Sequence, residues 1–188
     1  MRLSKFLIEI KWIFLRAKIE KIKLLILDVD GVMTNGYIYY EKNDNQIKSF
    51  SVKDGLGIRF LQKANIEIAI VTGGKGDVIE KRAKDLNIGY IKSKVKNKRK
   101  EVYKLKKLLK IDKNQVVFLG DDLNDLTVRN EVGLLIGTND CSKDFRRKCD
   151  AILLNNGGEN AVRELADRIL KNNKFIRRVK EEGFYETN

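Results

Sequence analysis

Beyond residue 23, short apolar runs alternate with longer stretches whose apolar positions recur at helical spacing. The runs Leu24–Asp28, Ile66–Thr72, Gly89–Ile91, Gln115–Gly120, Val132–Ile136 and Ala151–Leu154 predict strands. Helices are predicted over Gly57–Asn65, Asp77–Asn87, Lys98–Lys110, Asn124–Asn130 and Asn160–Leu170. Most of the strands are continuously apolar, as parallel strands covered on both faces must be. The pattern therefore predicts an α/β protein with a Rossmann-like, doubly wound parallel sheet. One segment breaks the rhythm. Tyr37–Tyr40 and Ile47–Phe50 are strand-like and flank the turn formers Lys42-Asn43-Asp44-Asn45, which predicts a β-hairpin over about 37–50. With no repeat or long linker, the core domain is read as residues 22–170. Residues 1–21 are a helical extension, and 171–188 are a charged extension expected to be partly mobile unless a neighbour holds it.

The stretch from Phe6 to Ile22 is apolar in places but interrupted by Glu9, Lys11, Arg16, Lys18, Glu20 and Lys21. It supplies neither a spanning segment nor a clean secretory core. The expectation is an amphipathic helix that packs on the domain or meets another subunit. A membrane surface is the lesser alternative, because glutamates are mixed in. The protein is expected to be cytoplasmic.

Composition narrows the chemistry. The chain has 188 residues and 43% hydrophobic content, enough for one soluble domain with a sizeable core. It contains no histidine. That excludes Ser-His-Asp catalysis, His-Glu-x-x-His zinc sites and histidine bases together. Cys141 and Cys149 have no metal or redox spacing and suggest a reducing compartment. The formal charge is +13, and lysines crowd the segment from Lys92 to Lys107. Such a face attracts polyanions, but the run lacks interleaved aromatics, and no nucleic-acid motif accompanies it. Solvated lysines are the default. Small phosphorylated substrates are anions too, so charge alone does not separate these readings.

In a doubly wound sheet, ligands bind beyond the carboxyl ends of the strands. That rule singles out four loops: Asp28-Val29-Asp30-Gly31, Thr72-Gly73-Gly74, the helix entrance at Lys98, and Gly120-Asp121-Asp122-Leu123-Asn124-Asp125. Crowded carboxylates raise one another's pKa, and a hard dication removes the conflict. Oxygen donors without histidine favour Mg²⁺. Asp28 could then attack phosphorus, and Asp30 could protonate the leaving alkoxide and later activate water. Thr72 and neighbouring N–H groups could hold phosphoryl oxygens while Lys98 adds positive charge. Each loop also has a plain structural reading. The first pair could form a turn, Thr72-Gly73-Gly74 could be an ordinary loop, the aspartates of the fourth could cap a helix, and Lys98 could be a surface lysine. All four plain readings would have to hold together.

Taken in order, these motifs resemble the haloacid dehalogenase-like phosphohydrolases. The resemblance implies that Asp28 is the nucleophile and Asp30 the acid/base. Mg²⁺ would be held by Asp28, the backbone carbonyl of Asp30, and Asp121, with Asp122 and Asp125 acting from behind them. A closer resemblance, over roughly 22–170, is to the 3-deoxy-D-manno-octulosonate 8-phosphate phosphatases. It is carried by Asp28-Val29-Asp30-Gly31-Val32-Met33-Thr34-Asn35-Gly36, Lys53-Asp54-Gly55-Leu56-Gly57-Ile58, Val71-Thr72-Gly73 and Gly157-Gly158-Glu159-Asn160-Ala161-Val162-Arg163-Glu164. It implies an uncapped core, an anionic sugar-phosphate substrate and a homotetramer in which neighbours cover each site. Neither an obligatory nucleic-acid partner nor a transmembrane segment is expected. Asp30, Lys53, Thr72, Gly73, Lys75 and Lys98 become candidate substrate contacts. Gly74 and Lys75 stand where such enzymes commonly have an arginine-led stretch, and the region around Lys94 lacks their usual glycine before the Lys98 motif. A nine-carbon sialic-type 9-phosphate or a broader phosphosugar set is the enzymatic alternative. A basic nucleic-acid-binding or scaffold protein is the non-enzymatic one.

Overall fold

The computed structural model describes residues 2–42 and 46–184, with side chains from residue 6 onward. Helix α1 (Arg2–Ile19) leads into β1 (Leu24–Leu27), and a two-stranded ribbon of β2 (Tyr39–Tyr40) and β3 (Gln46–Ile47) follows. The alternation then runs α2 (Val52–Lys63), β4 (Glu67–Val71), α3 (Asp77–Asp85), β5 (Tyr90–Lys92), α4 (Lys98–Leu109) and β6 (Val116–Gly120). A 3₁₀ segment at Leu123–Glu131 precedes β7 (Leu134–Gly137), α5 (Lys143–Lys148), β8 (Ala151–Ile152), α6 (Ala161–Ile169) and α7 (Lys174–Glu182). Six strands form one parallel sheet in the order β5-β4-β1-β6-β7-β8.

Alternate residues of each central strand serve opposite layers. Leu25 and Leu27 face the core shared with Ile58 and Leu61 of α2, Ile79 of α3 and Leu165 of α6. Leu24 and Ile26 face Val102 and Leu105 of α4, Val128 and Phe145. Both faces are dry, which explains why the strands read as unbroken apolar runs.

Several elements differ from the sequence reading. Helix α2 begins at Val52, five residues before the predicted start, because Ser51 caps it by accepting from Asp54 N at 3.3 Å. Gly55 and Gly57 disguise that start as a turn. Gly57 is there for close packing, since a Cβ would lie 3.0 Å from Arg163 Cα of α6. The predicted helix at Asn124–Asn130 is a 3₁₀ segment. The predicted hairpin shrinks to two paired residues per strand, Tyr39 with Ile47 and Tyr40 with Gln46. Asn43, Asp44 and Asn45 of its turn lie outside the described residues.

The charged C-terminal stretch forms α7, whose Ile176 is buried. Phe175 and Phe184 meet Phe60 edge-on at centroid distances of 6.1 and 5.0 Å, so aromatic packing holds this segment. Residues 185–188 lie outside the described residues. Among the described residues, no helix is long and apolar enough to cross a membrane.

Candidate active site

The sheet register assembles the candidate residues. Leu27 pairs with Leu119 on one side and Ile70 on the other. Asp28 therefore leaves β1 level with Gly120 and Val71, and Asp121 and Thr72 sit one residue farther along the neighbouring strands. Lys98 opens α4 and is buried between these loops. Its Nζ lies 2.9 Å from Asp28 Oδ2 and 2.6 Å from Asp125 Oδ1. Asp125, fully buried, accepts from Asp121 N with its other oxygen at 3.0 Å. One lysine and one aspartate thus tie three loops together.

Carboxylate oxygens of Asp28, Asp121 and Asp125 all lie within 4.8 Å of one another. Burial, with the charges of Asp125, Asp28 and Asp122 added, pushes the Asp121 carboxyl up to about 8. Burial and Asp28 likewise raise Asp125. Lys98 shows the complementary balance: burial lowers its pKa, but Asp28 and Asp125 more than reverse this, and the net shift is upward. One ammonium does not neutralise three carboxylates. Asp28 Oδ1 is buried and has no hydrogen-bond partner. An orphaned carboxylate oxygen beside two further carboxylates, in a cluster that includes no histidine or cysteine among the described residues, fits a hard oxygen-seeking dication such as Mg²⁺.

Gly31 makes this approach possible. Its φ is +81°, and a Cβ there would fall 2.1 Å from Asp121 Oδ2. The same loop is held from the far side by Gly158 N, which donates to Val32 O at 2.9 Å. That contact gives the glycine pair at 157–158 a structural role.

The remaining candidates are placed unevenly. Asp30 lies at the rim, partly exposed, and Thr72 is buried with its Oγ1 accepting from Gly74 N at 3.0 Å. Gly73 and Lys75 are exposed on that same loop. Asp122 turns outward and accepts from Leu123 N at 2.7 Å, capping the 3₁₀ segment rather than joining the cluster. Lys53 is exposed in the first turn of α2, and no described hydrogen bond or ion pair links it to the carboxylates.

Sequence reasoning missed Lys48. This residue follows β3, is fully buried, and donates to both oxygens of Asp30 at 2.5 and 2.7 Å. The only signal was a lysine in the returning strand of a hairpin that was expected to cover the site.

A haloacid dehalogenase-like hydrolase profile matches residues 51–133, which hold Thr72, Lys98 and Asp121 but not Asp28. The 3-deoxy-D-manno-octulosonate 8-phosphate phosphatase of Escherichia coli K12 is 40% identical over 154 residues, 82% of each chain. The chain belongs to this phosphatase family, within the haloacid dehalogenase-like hydrolases. Its members are phosphoric monoester hydrolases, and so is this protein. The crystal structure of the Moraxella catarrhalis phosphatase, a complex with magnesium, phosphate and KDO, superposes with a TM-score of 0.85 at 34% identity. That match covers 89% of this chain and 97% of the other. The Yersinia pestis phosphatase gives 0.82 at 36% identity, covering 84% and 85%. The parallel sheet with its flanking helices is therefore that of the family.

Proposed function

We propose that the protein hydrolyses the phosphate monoester of 3-deoxy-D-manno-octulosonate 8-phosphate through an aspartyl phosphate on Asp28. The observation that carries this reading is the state of the Asp28 carboxylate. It ends a rigid buried strand, one oxygen is held by Lys98, and the other has no partner. A carboxylate fixed on a strand end loses little freedom on attack.

Mg²⁺ would be held by Asp28, Asp121 and the backbone carbonyl of Asp30, and would withdraw charge from the phosphoryl oxygens. Lys98 offsets negative charge beside Asp28, and Asp125 fixes Lys98. Thr72, with backbone N–H groups around Gly73, binds the phosphoryl group. Asp30 gives its proton to the departing sugar oxygen, then takes one from the water that cleaves the acyl phosphate. Lys48 fixes the plane of the Asp30 carboxylate, so the ribbon that carries Lys48 is coupled to this proton transfer.

The site is open. No separate cap domain stands between the described elements, and a hollow of about 740 Å³ lies at the opposite end of the sheet around Lys23, Ile66 and Gln115. Around the ribbon, Tyr37, Ile38, Tyr39, Tyr40 and Ile47 are exposed. An apolar patch of this kind beside an open site supports a homotetramer in which neighbouring copies complete the sugar pocket. We also propose a cytoplasmic location for the enzyme.

Phosphate release with and without Mg²⁺, compared across the octulosonate 8-phosphate, a sialic-type 9-phosphate and small phosphosugars, tests the assignment. The octulosonate ester should give the highest kcat/KM, and Asp28→Asn should abolish turnover. Metal-dependent turnover that favours another ester would overturn the substrate. Its absence across the panel would overturn the reaction.

A further inference from the structure

Helix α1 has two apolar faces. Trp12, Leu15 and Ile19 pack on the core, and Trp12 Nε1 donates to Ile152 O at 3.1 Å, closing part of edge strand β8. The opposite face points to solvent. Phe6, Leu7, Ile13 and Phe14 are 61, 57, 70 and 81% exposed. Helical spacing sets Phe6 beside Ile13 and Leu7 beside Phe14, away from Trp12 and Ile19. A helix that served only to cover β8 would carry polar residues there.

The charges around this face decide what suits it. Both glutamates of the region are already paired inside the molecule. Glu9 accepts from Arg168 at 2.6 and 3.2 Å, which lowers its pKa, and Glu20 accepts from Arg16 at 3.3 Å. Lys11, Lys18 and Lys21 remain exposed, and Lys171 lines the groove between α1 and α6. A second copy laid on this face would set lysines against lysines with no free carboxylate between them. A surface with an apolar interior and a negatively charged boundary satisfies both the apolar stripe and its lysines.

We propose that α1 docks the protein on anionic lipid bilayers. Phe6, Leu7, Ile13 and Phe14 enter the boundary between headgroups and acyl chains, and Lys11, Lys18 and Lys21 meet the headgroup charge. The helix lies along the surface and does not span it. The ribbon remains free for contacts between copies, and the docking does not depend on the phosphatase reading.

Flotation of the full chain with phosphatidylcholine vesicles, with and without phosphatidylglycerol, tests this. The protein should float with phosphatidylglycerol-containing vesicles, bind neutral ones about tenfold more weakly, and be released by salt. The exposed-site variant Ile13→Glu/Phe14→Glu should lose flotation while keeping phosphate release and melting temperature. Lys11→Glu/Lys18→Glu, which keeps the apolar stripe, should lose the preference for phosphatidylglycerol. Failure of the unaltered protein to float overturns the proposal, as does undiminished flotation of either variant. Dissociation of an oligomer by Ile13→Glu/Phe14→Glu without lipid, seen in sedimentation velocity, also overturns it and assigns the face to a second copy.

Discussion

Replacing Lys98 with methionine keeps most of the side-chain volume and removes the one ammonium between Asp28 and Asp125. Lys98 is only 3% exposed, so solvent does little to screen the loss. Removing one partner of a buried ion pair costs about 3–5 kcal/mol, because the carboxylate left behind has lost its counter-charge. For a chain of this size, each kcal/mol moves the melting temperature by about 2–4 °C, so the metal-free variant should melt on the order of 10 °C lower at mildly alkaline pH. Two conditions should reduce the loss. Protonating the crowded carboxyls at lower pH removes part of the repulsion, and saturating Mg²⁺ replaces part of the missing charge. kcat should fall about 10²- to 10³-fold even with Mg²⁺, because a positive group beside the transferring phosphoryl is gone. Differential scanning fluorimetry with EDTA or Mg²⁺ over a pH series reads the stability arm, and phosphate release reads the other. A melting temperature within about 2 °C of the parent in EDTA at alkaline pH, a loss smaller than 1 kcal/mol, would refute the claim that Lys98 holds the carboxylate cluster together.

Metal stabilisation should depend on pH in a defined direction. The Asp121 carboxyl is raised to about 8, above its unfolded value of about 4. The metal-free fold is therefore favoured while Asp121 is protonated, and that advantage is lost as pH climbs through this window. Mg²⁺ binds the ionised form, so the melting shift it produces should grow between about pH 6 and pH 8.5; a flat or shrinking shift would contradict the raised carboxyl. Gly31→Ala adds a Cβ at positive φ that collides with Asp121. It should cost about 1–3 kcal/mol in denaturant melts and weaken Mg²⁺ binding in calorimetry, and unchanged metal affinity would show that Asp121 is not a ligand. Lys48→Met should slow alkyl phosphates, whose leaving oxygen needs a proton, about tenfold or more than aryl phosphates, which need little acid help. Equal losses for both esters would reduce Lys48 to a purely structural role, and Lys48→Arg should restore part of the difference.

The chain's local pattern carried much of this architecture. Near-continuous apolar runs suit strands buried on both faces of a covered parallel sheet, so the strands at Leu24–Leu27, Glu67–Val71 and Val116–Gly120 were legible without partners. Asp28, Thr72 and Asp121 follow such runs directly, and the rule that ligands sit past strand ends pointed to them. Lys48 was not legible, because its meeting with Asp30 depends on how the ribbon folds back over the loop. The motif at Lys53-Asp54-Gly55 also holds a long-range cap that local pattern does not announce. Buried Asp54 accepts from Arg163 N at 2.8 Å and does for α6 what Asn160, in left-handed backbone, leaves undone. The charged C-terminal stretch looked mobile because nothing in its own pattern announces the aromatic contact with Phe60. On α1, the sequence showed glutamates among apolar residues, but only the fold showed both of them already paired.

Spacing along the chain sets which residues share a strand face or a helix stripe, since backbone geometry fixes periods of two and 3.6 residues. Which charges meet, and which are left over, is decided by segments far apart in the chain that become neighbours only when the sheet closes.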